Sequence, residues 1–310
     1  MKLKGGLGAS GSAAIERLGL MPSPFSIECK SDYAVWRDAK LTAAATRLDE
    51  LLVEINDPRR LSASEREALA VRLRRANMAL YASNTAGQAD SEIPRHLGFQ
   101  FGLRNLDRHY LADDDRIAAL TVANGGTHAE FIPYTNRAIN WHSDGYYNTP
   151  EHTIRGLLLH CVRPAQSGGA NRLLDHEIAY ILLRDADPEY IRALSAADAM
   201  TIPARGEAAG AGRAAQSGPV FSVDAQGHLH MRYTARKLSI EWKNDAATQA
   251  AVAALEQVLA HDTAWTLHGR LEAGMGLICN NVLHDRSAFV DDPAAPRLLY
   301  RARYYERVSA

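Results

Sequence analysis

Residues 139–148 read Ile139-Asn140-Trp141-His142-Ser143-Asp144-Gly145-Tyr146-Tyr147-Asn148, and the reading of this stretch decides what kind of fold the chain must support. If it is extended, His142 and Asp144 stand two residues apart, and a β-strand sends residues i and i+2 to the same face. An imidazole and a carboxylate then converge on one point. Joined by a second imidazole from elsewhere, they make the facial triad that holds non-haem Fe(II) and leaves positions open for substrate and oxygen. With 12 histidines in 310 residues, roughly one His-x-Asp pair is expected by chance, so a third ligand and its context must decide.

Composition sets the frame. A chain with 46% hydrophobic and 23% charged residues can bury one sizeable core with an appended extension. A net charge of −1 gives no global attraction to nucleic acid or to anionic membranes, so the expected partner is a small molecule. Homo-oligomer formation is left open. Cys29, Cys161 and Cys279 are odd in number and have no C-x-x-C spacing, which argues against a disulfide framework or zinc knuckle and fits a reducing cytoplasm. No apolar run approaches a membrane span.

Working outward, residues 1–30 are rich in Gly, Ser and Pro and are expected to form a flexible arm. Residues 31–95 are expected to form a helical extension packed on the core. Leu41, Ala44, Leu48, Leu51, Leu52 and Ile55 recur at helical spacing, and Ser62-x-x-Glu65 is a capping box opening a second helix with Leu69, Leu73, Ala76 and Leu80 on one face. Residues 96–310 are expected to form a jelly-roll domain. Strand-like runs at 154–162, 265–268, 276–281 and 298–305, a hairpin at 219–233, and helices at 175–183, 188–194 and 245–259 are mainly β with flanking helices. That pattern predicts a double-stranded β-helix core.

His128-x-Glu130 and His228-x-His230 share the spacing of His142 and Asp144, but the first follows a Gly-Gly pair and the second a turn, so loop and surface roles are expected. His284 is the candidate third ligand because it follows the strand-like Gly-Leu-Ile-Cys-Asn-Asn and precedes a loop. After it, Arg297, Leu299, Arg301, Arg303 and Tyr305 share one strand face. A row of guanidiniums is costly to bury without anions, and a dicarboxylic acid would satisfy it.

WHSDGYYN, NNVLHDRSAF and PRLLYRARYY together resemble the taurine dioxygenase-like family of Fe(II)- and 2-oxoglutarate-dependent oxygenases, over roughly residues 130 to 310. GGANRLLDHEIAYI and PVFSVDAQGHLHMRY are also similar, more weakly, to the carbon-starvation-induced glutarate hydroxylase branch. The resemblance implies a jelly roll with His142, Asp144 and His284 as iron ligands, 2-oxoglutarate as co-substrate and molecular oxygen as oxidant. It implies that Arg297 grips the distal carboxylate of 2-oxoglutarate and that Arg301 meets an anionic substrate. Where family members place a Thr that binds the same carboxylate, this chain has Asn171.

The implied activity is hydroxylation of a small anionic or zwitterionic metabolite with release of succinate and carbon dioxide. Halogenating relatives replace the carboxylate ligand, and Asp144 retains it. Tyr146 and Asn148 follow the ligands and are expected to line the pocket, and Arg232, Tyr233, Arg236 and Lys237 form a basic cluster after the hairpin, of which Arg232 and Tyr233 are expected to meet the substrate. The rival readings are a desaturase or cyclase using the same iron, and a non-catalytic jelly-roll protein that binds a small anion or a metal.

Overall fold

The strand Gly156–Arg163 shows how the sequence builds the core. Its side chains alternate as a two-residue period requires: Leu157, Leu159 and Cys161 face one apolar cluster, Leu158 and Val162 another. The computed structural model describes residues 23–108, 116–123, 125–206 and 212–310, and places this strand inside a six-stranded sheet. In chain order the strands of the two main sheets are β1 (Leu52–Ile55), β2 (Met78–Ser83), β3 (Ala118–Leu120), β4 (Ile139–His142), β5 (Gly156–Arg163), β6 (Asn171–Leu174), β7 (Leu267–Gly269), β8 (Met275–Cys279), β9 (Leu283–Arg286) and β10 (Leu298–Tyr304). One sheet runs β1-β2-β8-β5-β10-β3 and the other β7-β6-β9-β4. Only β1 and β2 pair in parallel.

Leu157, Leu277 and Leu299 of the larger sheet share a cluster with Leu173 and Leu267 of the smaller one, so the sheets close on a common interior. This is the expected jelly roll. On the outer face of the larger sheet lie Leu69 and Leu73 of helix Ala63–Ala76 and Leu97 of helix Glu92–Gln100. The first of these helices opens on the capping box read from the sequence: the Ser62 amide donates to Glu65 Oε2 (2.7 Å) and the Glu65 amide to Ser62 Oγ (3.3 Å). Helices His176–Ala186, Pro188–Leu194 and Ala246–Ala260 cover the smaller sheet through Trp141, Leu174 and Leu283. Asp175, Asp187 and Asp245 cap them. No helix among the described residues is long and apolar enough to cross a membrane.

The N-terminal part departs from expectation. Residues 33–55 are not one helix: helix Lys30–Ala43 ends, a 3-10 turn spans Leu48–Leu51, and Leu52–Ile55 is a strand. Leucines at helical spacing cannot be told from a strand edge over so short a run. Leu80 likewise lies on β2 rather than on the helix before it, because Asn77 ends that helix in the left-handed conformation (φ 56°). β1 and β2 therefore extend the core sheet, and the expected boundary between residues 95 and 96 has no counterpart in it. Of the expected flexible arm, residues 1–22 lie outside the described residues. Residues 23–29 are held: Arg184 donates to the carbonyls of Pro24 (2.7 Å) and Ser26 (2.9 Å), and Phe25 packs edge-on to Trp36 and Tyr180.

One polar pair is buried in the larger sheet. Gly276 pairs with Tyr81 on one side and His160 on the other, and a Cβ there would come within 2.3 Å of the Tyr81 ring. Across that gap the Tyr81 hydroxyl meets His160 Nδ1 at 2.9 Å. Burial pushes the His160 imidazole down to about 4 from its ordinary 6.5. Between these values the unfolded chain binds a proton that the folded chain does not, so stability falls as pH drops through the window and levels off below it. The loss is at most about 1.4 kcal/mol per pH unit, on the order of 3 kcal/mol in all. Urea melts from pH 7 to 4 should therefore show a shallower pH slope for His160→Leu than for the parent; equal slopes would refute the assignment.

Candidate metal centre and substrate chambers

β9 pairs with β4 so that His284 stands directly across from His142. Their ring centroids are 4.2 Å apart, and His142 Nε2 lies 3.5 Å from Asp144 Oδ1. Asp144 follows the end of β4 by two residues, so the motif is a strand end and a turn rather than one continuous strand. One ligand atom from each of the three residues falls within 4.8 Å of the others, and no other such group of three exists among the described residues. His128 is set edge-on against Tyr134 instead, and His228 pairs with Asp224.

The donor set fits a divalent metal ion. His142 Nδ1 donates to the Asn140 carbonyl (2.9 Å) and His284 Nδ1 to that of Val282 (3.0 Å), which fixes both tautomers and leaves each Nε2 as an acceptor. Burial, and then His142, push His284 down to about 4, so it is neutral at pH 7 and available to a metal. Burial alone would raise the Asp144 carboxyl, but Arg301, the contact with His142 and Arg303 together hold it well below the usual carboxylate range. Arg301 Nη1 lies 3.4 Å from Asp144 Oδ2, an oxygen that has no hydrogen-bond partner.

Asp144 is held by its backbone. Its N–H donates to Asn281 Oδ1 (2.8 Å), while Asn281 Nδ2 donates to the carbonyls of Asp144 (2.9 Å) and Ile154 (2.7 Å). Asn281 adopts a left-handed conformation (φ 50°), which Asn tolerates better than most residues. Ser143 is fixed from the other side by exchange of hydrogen bonds with Tyr233, and Thr234 forms a bridge with His142.

The centre opens on an inner chamber of about 150 Å³ lined by His142, Asp144, Tyr146, Tyr147, Thr234, Arg236, Arg301 and Arg303. Beyond Tyr146 and Tyr147 lies an outer chamber of about 780 Å³ that includes Phe131, Asn148, Arg205, Arg213, Arg236 and Tyr305. Tyr146 and Asn148 thus line the cavity as expected. Arg232 and Tyr233 do not. Arg232 donates to the carbonyls of Tyr146 (2.8 Å), Met200 (3.1 Å) and Gln216 (2.7 Å), and Tyr233 is buried against Trp242. Both are framework, because three carbonyls converge where the sequence suggested a ligand. Arg297 is 6% exposed with its guanidinium 5.0 Å from the Phe289 ring centroid, and it donates through that group to no described residue. Asn171 Nδ2 donates to the Asp285 carbonyl (2.5 Å), beside a small cavity of about 20 Å³ that it shares with His284.

A family model described as taurine catabolism dioxygenase TauD, TfdA family matches residues 55–303. The chain belongs to this family. It is a 2-oxoglutarate-dependent non-haem iron dioxygenase, a class that uses Fe(II), 2-oxoglutarate and oxygen. Over 199 residues it is 35% identical to a uridine-5'-phosphate dioxygenase from a Streptomyces species, covering 61% of this chain and 69% of that protein. Over 175 residues it is 33% identical to one from an Amycolatopsis species, covering 54% and 60%. In fold it is similar to an asparagine oxygenase at 15% identity (TM-score 0.58, covering 96% and 92% of the two chains). A taurine dioxygenase from Burkholderia xenovorans, at 18% identity, gives a TM-score of 0.53 over 84% and 88%.

Sequence reasoning missed Asn281 and Arg286. Arg286 Nη2 donates to the carbonyls of Thr135 (2.8 Å) and Arg137 (2.5 Å), tying β9 to the wall of the inner chamber. The one signal for Asn281 was an Asn-Asn pair closing a strand three residues before the distal histidine. For this TauD, TfdA family member, Asn281→Ala should weaken Co(II) binding by about 10- to 100-fold, the usual cost of losing a group that orients a ligand. Ligand-field absorbance on titration measures it, and unchanged affinity would show that Asp144 does not need the clamp.

Proposed function

We propose that this dioxygenase hydroxylates a small phosphorylated metabolite, with uridine-5'-phosphate the first candidate, at a metal held by His142, Asp144 and His284. The observation that carries the reading is the triad opening on a chamber that also contains Arg236, Arg301 and Arg303. Both curated relatives are named for uridine-5'-phosphate. Arginines beside aromatic walls suit a phosphate joined to a flat ring.

When bound at the triad, Fe(II) with 2-oxoglutarate and oxygen supplies the oxidising power, and succinate and carbon dioxide are the by-products. The chain's own residues set the geometry. His142 and His284 present Nε2 in fixed tautomers, and the Asp144 carboxylate offsets part of the metal charge. Arg301 holds that carboxylate and walls the inner chamber. Arg297 takes the far carboxylate of 2-oxoglutarate: burial lowers its pKa, and a buried guanidinium without a hydrogen-bond acceptor is costly until an anion arrives. Asn171, beside His284, serves the same co-substrate.

Two measurements test this. Succinate formation from 2-oxoglutarate should rise on adding uridine-5'-phosphate; if no nucleoside monophosphate raises it, the substrate reading fails. Anaerobic titration of the Fe(II) enzyme with 2-oxoglutarate, followed by its charge-transfer band, should show Arg297→Ala weakened roughly 10- to 150-fold. Arg297→Lys should recover only part of that loss, since an ammonium lacks the planar fork. Parent-like affinity in Arg297→Ala would remove this residue from the co-substrate site.

A further inference from the structure

Among the described residues Arg236 is the one arginine that lines both chambers. We infer that it is the residue that selects for a negatively charged group on the substrate, holding that group at the throat between the chambers beside the carbon that enters the inner one. This inference rests on the substrate reading above and deepens it.

Position and anchoring single it out: Arg108, Arg205 and Arg213 line only the outer chamber, and Arg301 and Arg303 only the inner one. Arg301 lies 3.4 Å from Asp144 on the metal side of the inner chamber with its Nε unpartnered, and Arg303 donates to Tyr147 Oη (2.9 Å) and pairs with buried Asp107. In the outer chamber Arg205 lies 3.7 Å from Glu130 and 4.4 Å from the Phe131 ring centroid. Arg213 donates to the carbonyls of Tyr147 (3.3 Å) and Pro203 (2.9 Å). The Arg236 guanidinium makes no hydrogen bond or ion pair with any described residue, although the backbone leading into it is anchored. Two residues earlier Thr234 bridges His142, and the Ala235 amide donates to the Trp141 carbonyl (2.7 Å). The Arg236 backbone is therefore placed beside the strand that carries His142. An exposed, uncommitted guanidinium on a backbone anchored beside a reacting centre suits recognition of a phosphate or carboxylate by paired N–H donors.

The walls on either side define the rest of the ligand. The inner chamber, at about 150 Å³, has room for the reacting end of a substrate and little more. The outer chamber, at about 780 Å³, has Phe131, Tyr146, Tyr147 and Tyr305 in its walls. Tyr147 is braced by Arg303 at its hydroxyl and stands edge-on to Tyr146, with ring centroids 5.1 Å apart. Rigid aromatic surfaces of this kind take a flat ring. The ligand class is a molecule that carries an anionic group next to its reacting carbon and a flat ring on the outward side.

Binding, measured apart from turnover, tests this. Calorimetry on the anaerobic Fe(II) enzyme with 2-oxoglutarate would compare uridine-5'-phosphate with uridine, and phenyl phosphate with phenol. Arg236→Gln should weaken both phosphates by roughly 10- to 150-fold and leave uridine, phenol and 2-oxoglutarate affinities unchanged. Arg236→Lys should recover part of the loss. A general structural role would instead weaken charged and uncharged ligands alike, and that result overturns the inference, as does parent-like phosphate binding in Arg236→Gln. Parent enzyme that binds phenyl phosphate but not uridine-5'-phosphate removes the nucleotide and leaves Arg236 supported if its variant loses phenyl phosphate. Parent enzyme that binds neither phosphate overturns both readings.

Discussion

The pairing of His284 with His142 across β9 and β4 is the constraint on which the site depends. In an antiparallel sheet such a pairing fixes two side chains on one face, and a slip of one residue would turn one of them away. The register is held from several directions. Thr234 bridges His142 on its free side, Asn281 clamps the Asp144 backbone, and the next step of β9 is irregular, so Arg286 pairs with Ile139 rather than continuing in step. The ligands therefore sit on rigid elements, and only Asp144 stands in a turn, which is where the amide clamp acts.

Much of this was legible because local rules sufficed. Aspartate caps before helices, a capping box at Ser62 and Glu65, and strict alternation in residues 156–163 each report local geometry. The His-x-Asp pair was visible as a motif, but the turn after β4, and not the strand periodicity it was read from, brings Asp144 beside His142. What was illegible depended on partners distant in sequence. Leu52–Ile55 is a strand only because Met78–Ser83 lies beside it, and no periodicity over four residues announces that.

Arg232 and Arg236 make the same point at the site. Both belong to one basic cluster in the sequence, and nothing local separates them. Arg232 is turned toward three backbone carbonyls, and burial, then Arg213, push it down to about 10. Arg236 is turned toward the chambers. A guanidinium that satisfies carbonyls is framework and one that satisfies nothing in the chain is available to a ligand, but the distinction exists only once the loops meet.

The arginines of β10 and its approach show how charge organises the cavity. Placed at two-residue intervals, Arg301 and Arg303 point the same way and would repel each other if nothing intervened. The fold assigns each a different anion. Arg303 receives Asp107 and the Tyr147 hydroxyl, which outweigh its burial and raise its pKa. Arg301 receives Asp144, a weaker pairing at 3.4 Å, and that carboxylate also faces His142 and His284. Among the described residues Arg297 has no carboxylate within ion-pair distance of its guanidinium, Asp291 taking its amide instead, and its neighbour Arg286 is pushed down to about 9 by burial and by Arg297 and Arg301. Neutralisation thus decreases from Arg303 through Arg301 to Arg297. Since isolated buried charge is the costly case, the end of the row that lacks a partner is the end whose stability gains most from an incoming carboxylate.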